Sequence, residues 1–333
     1  MAEQSEISWT HATHNEWIGC TRVSPGCQHC YAETLMDTRY GRVKWGKGQP
    51  RVLTSEANRR KPLSWDRAAA KAGTRTRVFS ASLSDWLDHE VPAQWLAGLL
   101  STVAATPNLD WLMLTKRPHL WRERVTGAFR CRDLSVGGAA LADFWLKGVA
   151  PQNVWVGTTV EDQERADERV PQLLSIPARV RFLSCEPLLG PVKLARWLRD
   201  HAFDPVTATG HCMVCGGTAD EPQHGGPDWI IAGGESGHGA RPMHPAWARS
   251  LRDQATSAGV AFHFKQWGEW APREQVRDHI TDSTLIGPVA SDGTWARWTD
   301  RSPGSPAYVA RVGKAAAGRE LDGREWNEFP VPT

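Results

Sequence analysis

Cys20, Cys27 and Cys30 fall within eleven residues near the amino terminus, in the stretch Gly19-Cys20-Thr21-Arg22-Val23-Ser24-Pro25-Gly26-Cys27-Gln28-His29-Cys30-Tyr31. Three thiolates can hold three irons of a four-iron cluster and leave the fourth iron open to a small-molecule ligand, whereas a structural zinc takes four protein ligands. Gly19, Pro25 and Gly26 suit a loop wrapped tightly around an inorganic body, with backbone N–H groups offered to its sulfurs. An open iron can chelate the amino and carboxylate groups of S-adenosylmethionine, and an electron from the cluster then cleaves the sulfonium to a 5′-deoxyadenosyl radical. The cofactor carries that chemistry; the protein must bind the methionyl carboxylate, hold adenine and ribose, and exclude water. Lys116, Arg117 or Lys265 can supply the cation. In a competing reading, the same cysteines with His14 or His29 bind zinc in a non-enzymatic module that associates with nucleic acid.

Groups of this kind need a scaffold. Short apolar runs followed by polar turns, most then by a helical pattern, recur from residue 77 to 265, the signature of βα units. Strands are expected at Val78–Ser80, Trp111–Leu114, Val154–Val156, Val180–Leu183, Trp229–Ala232 and Val260–Phe264, with a first one near Ile7–Trp9. Pro92 opens a helix whose apolar stripe is Trp95, Leu96, Leu99, Leu100 and Val103, and Pro107 stops it. Thr159 and Asp162 resemble a capping box before a helix that Pro171 kinks or divides. Pro245 and Gly259 bracket a third helix. The order predicts an α/β fold, a partial or full parallel (β/α) TIM-like barrel, with working groups at the carboxyl ends of the strands.

The residues after those strands are polar: Ser80, Ser82 and Asp85; Lys116 and Arg117; Thr158, Thr159 and Glu161; Cys185 and Glu186; Gly233, Gly234 and Glu235; Lys265. From them come a candidate cofactor-binding set, Ser80, Ser82, Lys116, Thr158, Gly233 and Gly234, joined by His29 and Tyr31 of the cysteine loop. Cys185, Glu186, Glu235 and Lys265 form the candidate catalytic set. Residues 200–227 interrupt the pattern as an insertion and carry Cys212 and Cys215, a Cys-x2-Cys pair that could hold half of a zinc site, full coordination requiring His211 or His224 plus another residue. A barrel over 1–270 and a carboxyl-terminal extension over 271–333, rich in Gly, Pro, Arg and Trp, complete the expected organisation.

Thirty-nine basic against 37 acidic residues, a formal net charge of +2, give no global drive toward nucleic acid or membrane, so any polyanion site must be a local patch. Seven cysteines, three of them crowded in one loop, argue against a secreted disulfide framework and for a reducing cytosol. No apolar run reaches the roughly 18 residues of a membrane span, and the polar start Met1-Ala2-Glu3-Gln4 is no signal peptide. The 18 tryptophans scatter singly and read as packing residues.

The motif Cys20-x6-Cys27-x2-Cys30-Tyr31-Ala32-Glu33 resembles the radical S-adenosylmethionine superfamily loop, with six rather than three residues between the first two cysteines. The whole chain is similar to an uncharacterised phage-associated family known by its three-Cys motif, through Trp9–Glu33, Ser82–Asp85, Leu114–Pro118, Gly157–Glu161, Phe182–Gly190, Gly233–Gly237, Ala240–Pro242, Phe264–Gly268 and the tail from Gly313 to Pro330. The resemblance implies a radical-type partial barrel, a [4Fe-4S] cluster with S-adenosylmethionine, and His29 near the adenine. It also implies an electron donor such as a flavodoxin or ferredoxin, and a nucleic-acid base as substrate in modification or repair. Cys185 would donate a hydrogen atom to a substrate radical, as a thiol does in the spore photoproduct lyases that this family distantly resembles. A base must leave its duplex to reach such a centre, so a positive groove should flank it, with Arg59-Arg60-Lys61 and Arg117 to Arg124 as walls.

Overall fold

The computed structural model describes residues 5–198, 225–294 and 306–331. Seven strands form one parallel sheet in chain order: β1 (Ala12–His14), β2 (Thr76–Ser80), β3 (Leu109–Thr115), β4 (Val154–Thr159), β5 (Val180–Cys185), β6 (Trp229–Gly233) and β7 (Ala261–Gln266). The first strand lies at Ala12–His14 rather than near Ile7–Trp9, because Thr10 N–H closes a turn on the Ile7 carbonyl and frees Trp9 for another task.

That task is to fill the inside of the sheet. The Trp9 ring lies 4.7 Å from Phe79 on β2 and 6.3 Å from Trp229 on β6. In a flat sheet, strands four places apart are separated by about 19 Å, so one indole touching both requires the sheet to curl. β1 and β7 do not pair with each other, and the curl stops short of closure. The result is a partial (β/α) barrel.

Side chains alternate strictly across it. Phe79, Leu112, Trp155, Phe182, Trp229 and Ile231 meet in the interior. Their neighbours Val78, Trp111, Val156, Leu183, Ile230 and Phe262 face a larger helix-covered core. Gly157 points inward, and a Cβ there would stand 2.4 Å from the Phe182 ring, so its lack of a side chain makes room for that phenyl group.

The helices follow local rules. Helix α1 (Glu56–Ala72) starts at Ser55, whose Oγ accepts the Asn58 N–H, and ends at Gly73 with φ of 63°. Helix α2 (Ala93–Ala104) turns Leu96, Leu99, Leu100 and Val103 onto the sheet. Helices α3 (Trp121–Phe129) and α4 (Val136–Leu146) pack beside it. Helix α5 (Gln163–Leu174) is capped by Asp162, which accepts the Arg165 N–H, and it runs through Pro171 without dividing. Helix α6 (Pro245–Ser257) begins and ends where the sequence places it. No described helix is long and apolar enough to cross a membrane.

Beyond β7, strands β8 (Trp270–Pro272), β9 (Ile286–Val289) and β10 (Ala307–Arg311) make a small antiparallel sheet. The tail then returns along β7: Phe264 N–H donates to the Trp326 carbonyl at 2.9 Å and Glu328 N–H to that of Phe262 at 3.2 Å. An otherwise open sheet edge is thereby covered.

A candidate active site at the carboxyl ends of the strands

The loop leaving β1 carries the cysteines. Pro25–Cys27 forms a short helical turn, and Tyr31–Glu33 continues into a wider, π-helical turn over Thr34–Arg39. Cys20, Cys27 and Cys30 line one cleft of about 130 Å³, together with Tyr31, Trp45, Ser82, Asp85, Lys116, Arg117 and Thr159. Lys116 and Thr159 reach it because they stand at inward positions, two residues above Leu114 and Gly157.

The loop is held by buried charges on three sides. Beside Cys20, Arg117 donates through Nη1 to Sγ at 3.5 Å and to Asp85 at 2.8 Å, and through Nη2 to the Thr21 carbonyl at 2.9 Å. In the middle, Gly26 N–H donates to Glu161, which Arg169 grips at 2.9 Å. On the far side, Arg241 donates to the Pro25 carbonyl and to Gln28 Oε1 while clasping both oxygens of Glu235. Each cation is already oriented by a carboxylate, so the loop geometry is set before any ligand arrives.

The electrostatics suit an anionic guest. Burial pushes the Cys20 thiol up to about 12, beyond what Arg117 recovers, and burial also raises Cys30. Burial opposes the charge of Lys116, yet Cys27, Glu161 and Cys30 nearby outweigh it and keep the ammonium protonated. Asp85 is likewise disfavoured by burial, but Arg117, the Thr115 hydroxyl and two backbone N–H groups hold it below the usual carboxylate range. Three soft sulfur donors on one wall beside two cations match an iron–sulfur body. Among the described residues no three His, Cys, Asp or Glu side chains, the three cysteines included, converge on a single metal ion; a four-iron cluster takes one thiolate per iron, whereas a zinc gathers its donors within about 2.0–2.3 Å of one point. His14 faces the helix layer, edge-on to Trp111 at 5.4 Å, and is no partner for the cysteines.

The other candidates divide. Tyr31, Ser82 and Lys116 line the cleft; the Tyr31 hydroxyl donates to the Ser82 carbonyl. Lys265 pairs with Glu186 at 2.6 Å, and Gln266 donates to the same carboxylate at 3.3 Å. The Tyr31 phenol is raised by desolvation around its hydroxyl first, then by Cys30 and Glu186, although the residue as a whole stays exposed. Gly233 and Gly234 let β6 approach the end of β7, a Cβ on Gly234 meeting the Trp267 carbonyl at 1.9 Å. Glu235 serves Arg241. His29 packs on Gly239 and does not line the cleft. Ser80, Thr158 and Cys185 occupy outward positions: Thr158 donates to the Thr115 carbonyl at 2.9 Å, and Cys185 is fully buried in the helix-facing core. Cys212 and Cys215 lie outside the described residues. The basic walls divide: Arg117 lines the cleft, Arg124 donates to the Val91 carbonyl, Arg60 forms an exposed pair with Glu56, and Arg59 lies 3.7 Å from Glu16. Sequence reasoning missed Thr159, Trp45 and the Arg169 and Arg241 clamps; strand phase was a signal for the first.

The family described as Protein of unknown function (DUF5131) matches residues 4–330. The chain belongs to that family. No curated protein matches it. Among solved structures, a cysteine-to-serine mutant of spore photoproduct lyase is 13% identical with a TM-score of 0.38, covering 93% of this chain and 71% of its own. Spore photoproduct lyase complexed with dinucleoside spore photoproduct is 12% identical with a TM-score of 0.39, covering 92% and 70%. A double mutant with bound AdoMet and dinucleoside spore photoproduct is 11% identical with a TM-score of 0.39, covering 92% and 70%.

Proposed function

We propose that this protein is a radical S-adenosylmethionine-type iron–sulfur enzyme. The supporting observation is the gathering of Cys20, Cys27 and Cys30 with Lys116 on the wall of one cleft at the carboxyl ends of parallel strands, where barrels of this architecture carry their chemistry. In this reading Cys20, Cys27 and Cys30 would hold a [4Fe-4S] cluster, and the chemistry it would supply, once reduced by an external one-electron donor, is cleavage of S-adenosylmethionine to methionine and a 5′-deoxyadenosyl radical.

The chain's own groups have separate duties. Lys116 and Arg117 balance negative charge at the sulfurs and attract a carboxylate. Ser82, Thr159 and Tyr31 give the wall hydrogen-bonding groups, and the aromatic surfaces of Tyr31 and Trp45 keep water from the centre. Glu186 and Lys265 form a polar pair on the rim, suited to orient a substrate or move a proton. The substrate proposed is a nucleic-acid base, with a flavodoxin- or ferredoxin-type electron donor. The described cysteines are free thiols, in keeping with a reducing compartment.

Anaerobic reconstitution with iron and sulfide tests the reading. About four irons per chain and a brown chromophore are expected, with 5′-deoxyadenosine formed once reductant and S-adenosylmethionine are added. Cys20→Ala, Cys27→Ala and Cys30→Ala should each lose both together. A colourless protein holding one zinc, or full iron retention in all three variants, rules the reading out.

A further inference from the structure

Between Arg39 and Arg51 the sequence has five basic residues and no acidic one, in a chain whose net charge is only +2. The structure puts this segment at the lip of the cysteine cleft. Gly46 N–H donates to the Cys20 carbonyl at 3.0 Å, and Trp45 itself lines the cleft. Arg51 turns inward, its side chain 1% exposed, and ties the segment to Asp88 at 2.9 Å, to Glu90 at 2.7 Å and to the Gly46 and Gln49 carbonyls. A loop pinned by such a buried hub presents its outer side chains in fixed places.

Those outer side chains are cations and rings. Arg39, Arg42 and Lys47 are exposed, and none pairs with a carboxylate among the described residues. The Tyr40 ring is 50% exposed, with the Arg39 and Arg42 guanidinium carbons 5.5 and 5.4 Å from its centroid. Cations without carboxylate partners beside one exposed ring, Tyr40, and one half-buried ring, Trp45, match the pattern of single-strand recognition, in which phosphates meet the cations and unstacked bases meet ring faces.

We infer that the strip formed by Arg39, Tyr40, Arg42 and Lys47, leading to Trp45, binds a single-stranded or locally unpaired nucleic acid and presents a base to the cysteine cleft. The inference rests on the radical reading for what happens inside the cleft, and it names the polymer delivered there. It also replaces Arg59–Lys61 and Arg117–Arg124 as the positive wall.

The test uses the full-length protein after anaerobic reconstitution with iron and sulfide, and a fluorescein-labelled oligothymidylate of about 12 nucleotides, a length within single-strand site sizes. Anisotropy should show binding at low salt that weakens as salt rises. The combined variant Arg39→Ala, Arg42→Ala, Lys47→Ala should bind at least roughly ten-fold more weakly, with a log–log salt slope reduced by about 2 for three lost phosphate contacts. Tyr40→Ala alone should weaken binding roughly ten-fold with the slope unchanged. Absence of binding by the wild-type protein, or equal binding by the triple variant, overturns the inference. So does an acidic flavodoxin-type protein whose binding the triple variant loses while oligothymidylate binding stays the same. Formation of 5′-deoxyadenosine without oligonucleotide is a separate reading, and the reconstituted triple variant should keep it. If that activity is missing in the wild type while strand binding follows the pattern above, the radical reading fails and the strip stands.

Discussion

Glu161, fixed by Arg169 in the segment after β4, accepts the backbone N–H of Gly26 in the middle of the cysteine loop at 3.3 Å. A fully buried carboxylate therefore sets the position of a loop that precedes it by more than a hundred residues. The loop comes so close that a Cβ on residue 26 would stand 3.0 Å from the Glu161 oxygen.

Gly26→Ala should displace the loop while leaving the barrel intact. Partners behind metal ligands are worth about ten- to a hundred-fold in metal retention, so iron release to a chelator should quicken by at least about ten-fold, with the thermal midpoint unchanged. Release at the wild-type rate would show that Glu161 does not set the loop.

Arg241 should behave differently because its loss strands a partner. Glu235 is 6% exposed but the Arg241 side chain is 28% exposed, so solvent screens part of the charge left behind and the loss should fall below the roughly 3–5 kcal/mol of a fully buried pair. Arg241→Gln should lower the urea midpoint and also speed iron release. The double variant Arg241→Gln, Glu235→Gln should recover most of the stability but not the slow release, which separates scaffolding of the fold from scaffolding of the loop.

His263 faces the barrel interior, where its Nε2 lies 2.8 Å from the Ser8 hydroxyl. Burial first, then the cations Arg319, Lys265 and Arg77, push its imidazole down to about 3. A histidine kept neutral when folded takes up its proton only when unfolded, so its contribution to stability is unaffected above about pH 6.5 and falls progressively from there toward about pH 3. Between about pH 7 and pH 5 the loss from this group is roughly 2 kcal/mol. Urea unfolding at both values should show that extra loss in the wild type and not in His263→Gln.

Gly157→Ala tests the packing inside the barrel. With the Phe182 ring 2.4 Å from the new methyl group, the substitution should cost about 1–3 kcal/mol of overpacking. Adding Phe182→Leu should return part of it, an interaction readable from the thermal midpoints of the two single variants and the double.

Six of the seven barrel strands were legible because each is an apolar run closed by a polar turn. The first was not, since Ala12-Thr13-His14 carries no such run and Trp9, which looks like strand, is a plug. For the site, the cysteine spacing and Lys116 were readable, but the phase of each strand was not used. Counting alternately from Trp155 would have turned Thr159 inward and Thr158 outward, and counting from Phe182 would have sent Cys185 to the helices. The clamps on Pro25, Gly26 and Gln28 join residues far apart in the chain, and no local pattern announces them.

The interior cluster joins Trp9 to Trp229 and Trp229 to Phe329, whose rings are 5.1 Å apart. The Trp229 indole thus takes one neighbour from well before it in the chain and another from well after it, and its surroundings are complete only when both have arrived. Such long loops close slowly, so a nascent chain emerging from the ribosome holds an unfinished cylinder with a greasy mouth. Refolding, rather than the stability of the finished molecule, should feel that late closure, and a chain lacking Phe329 should aggregate more than the full chain on dilution from urea.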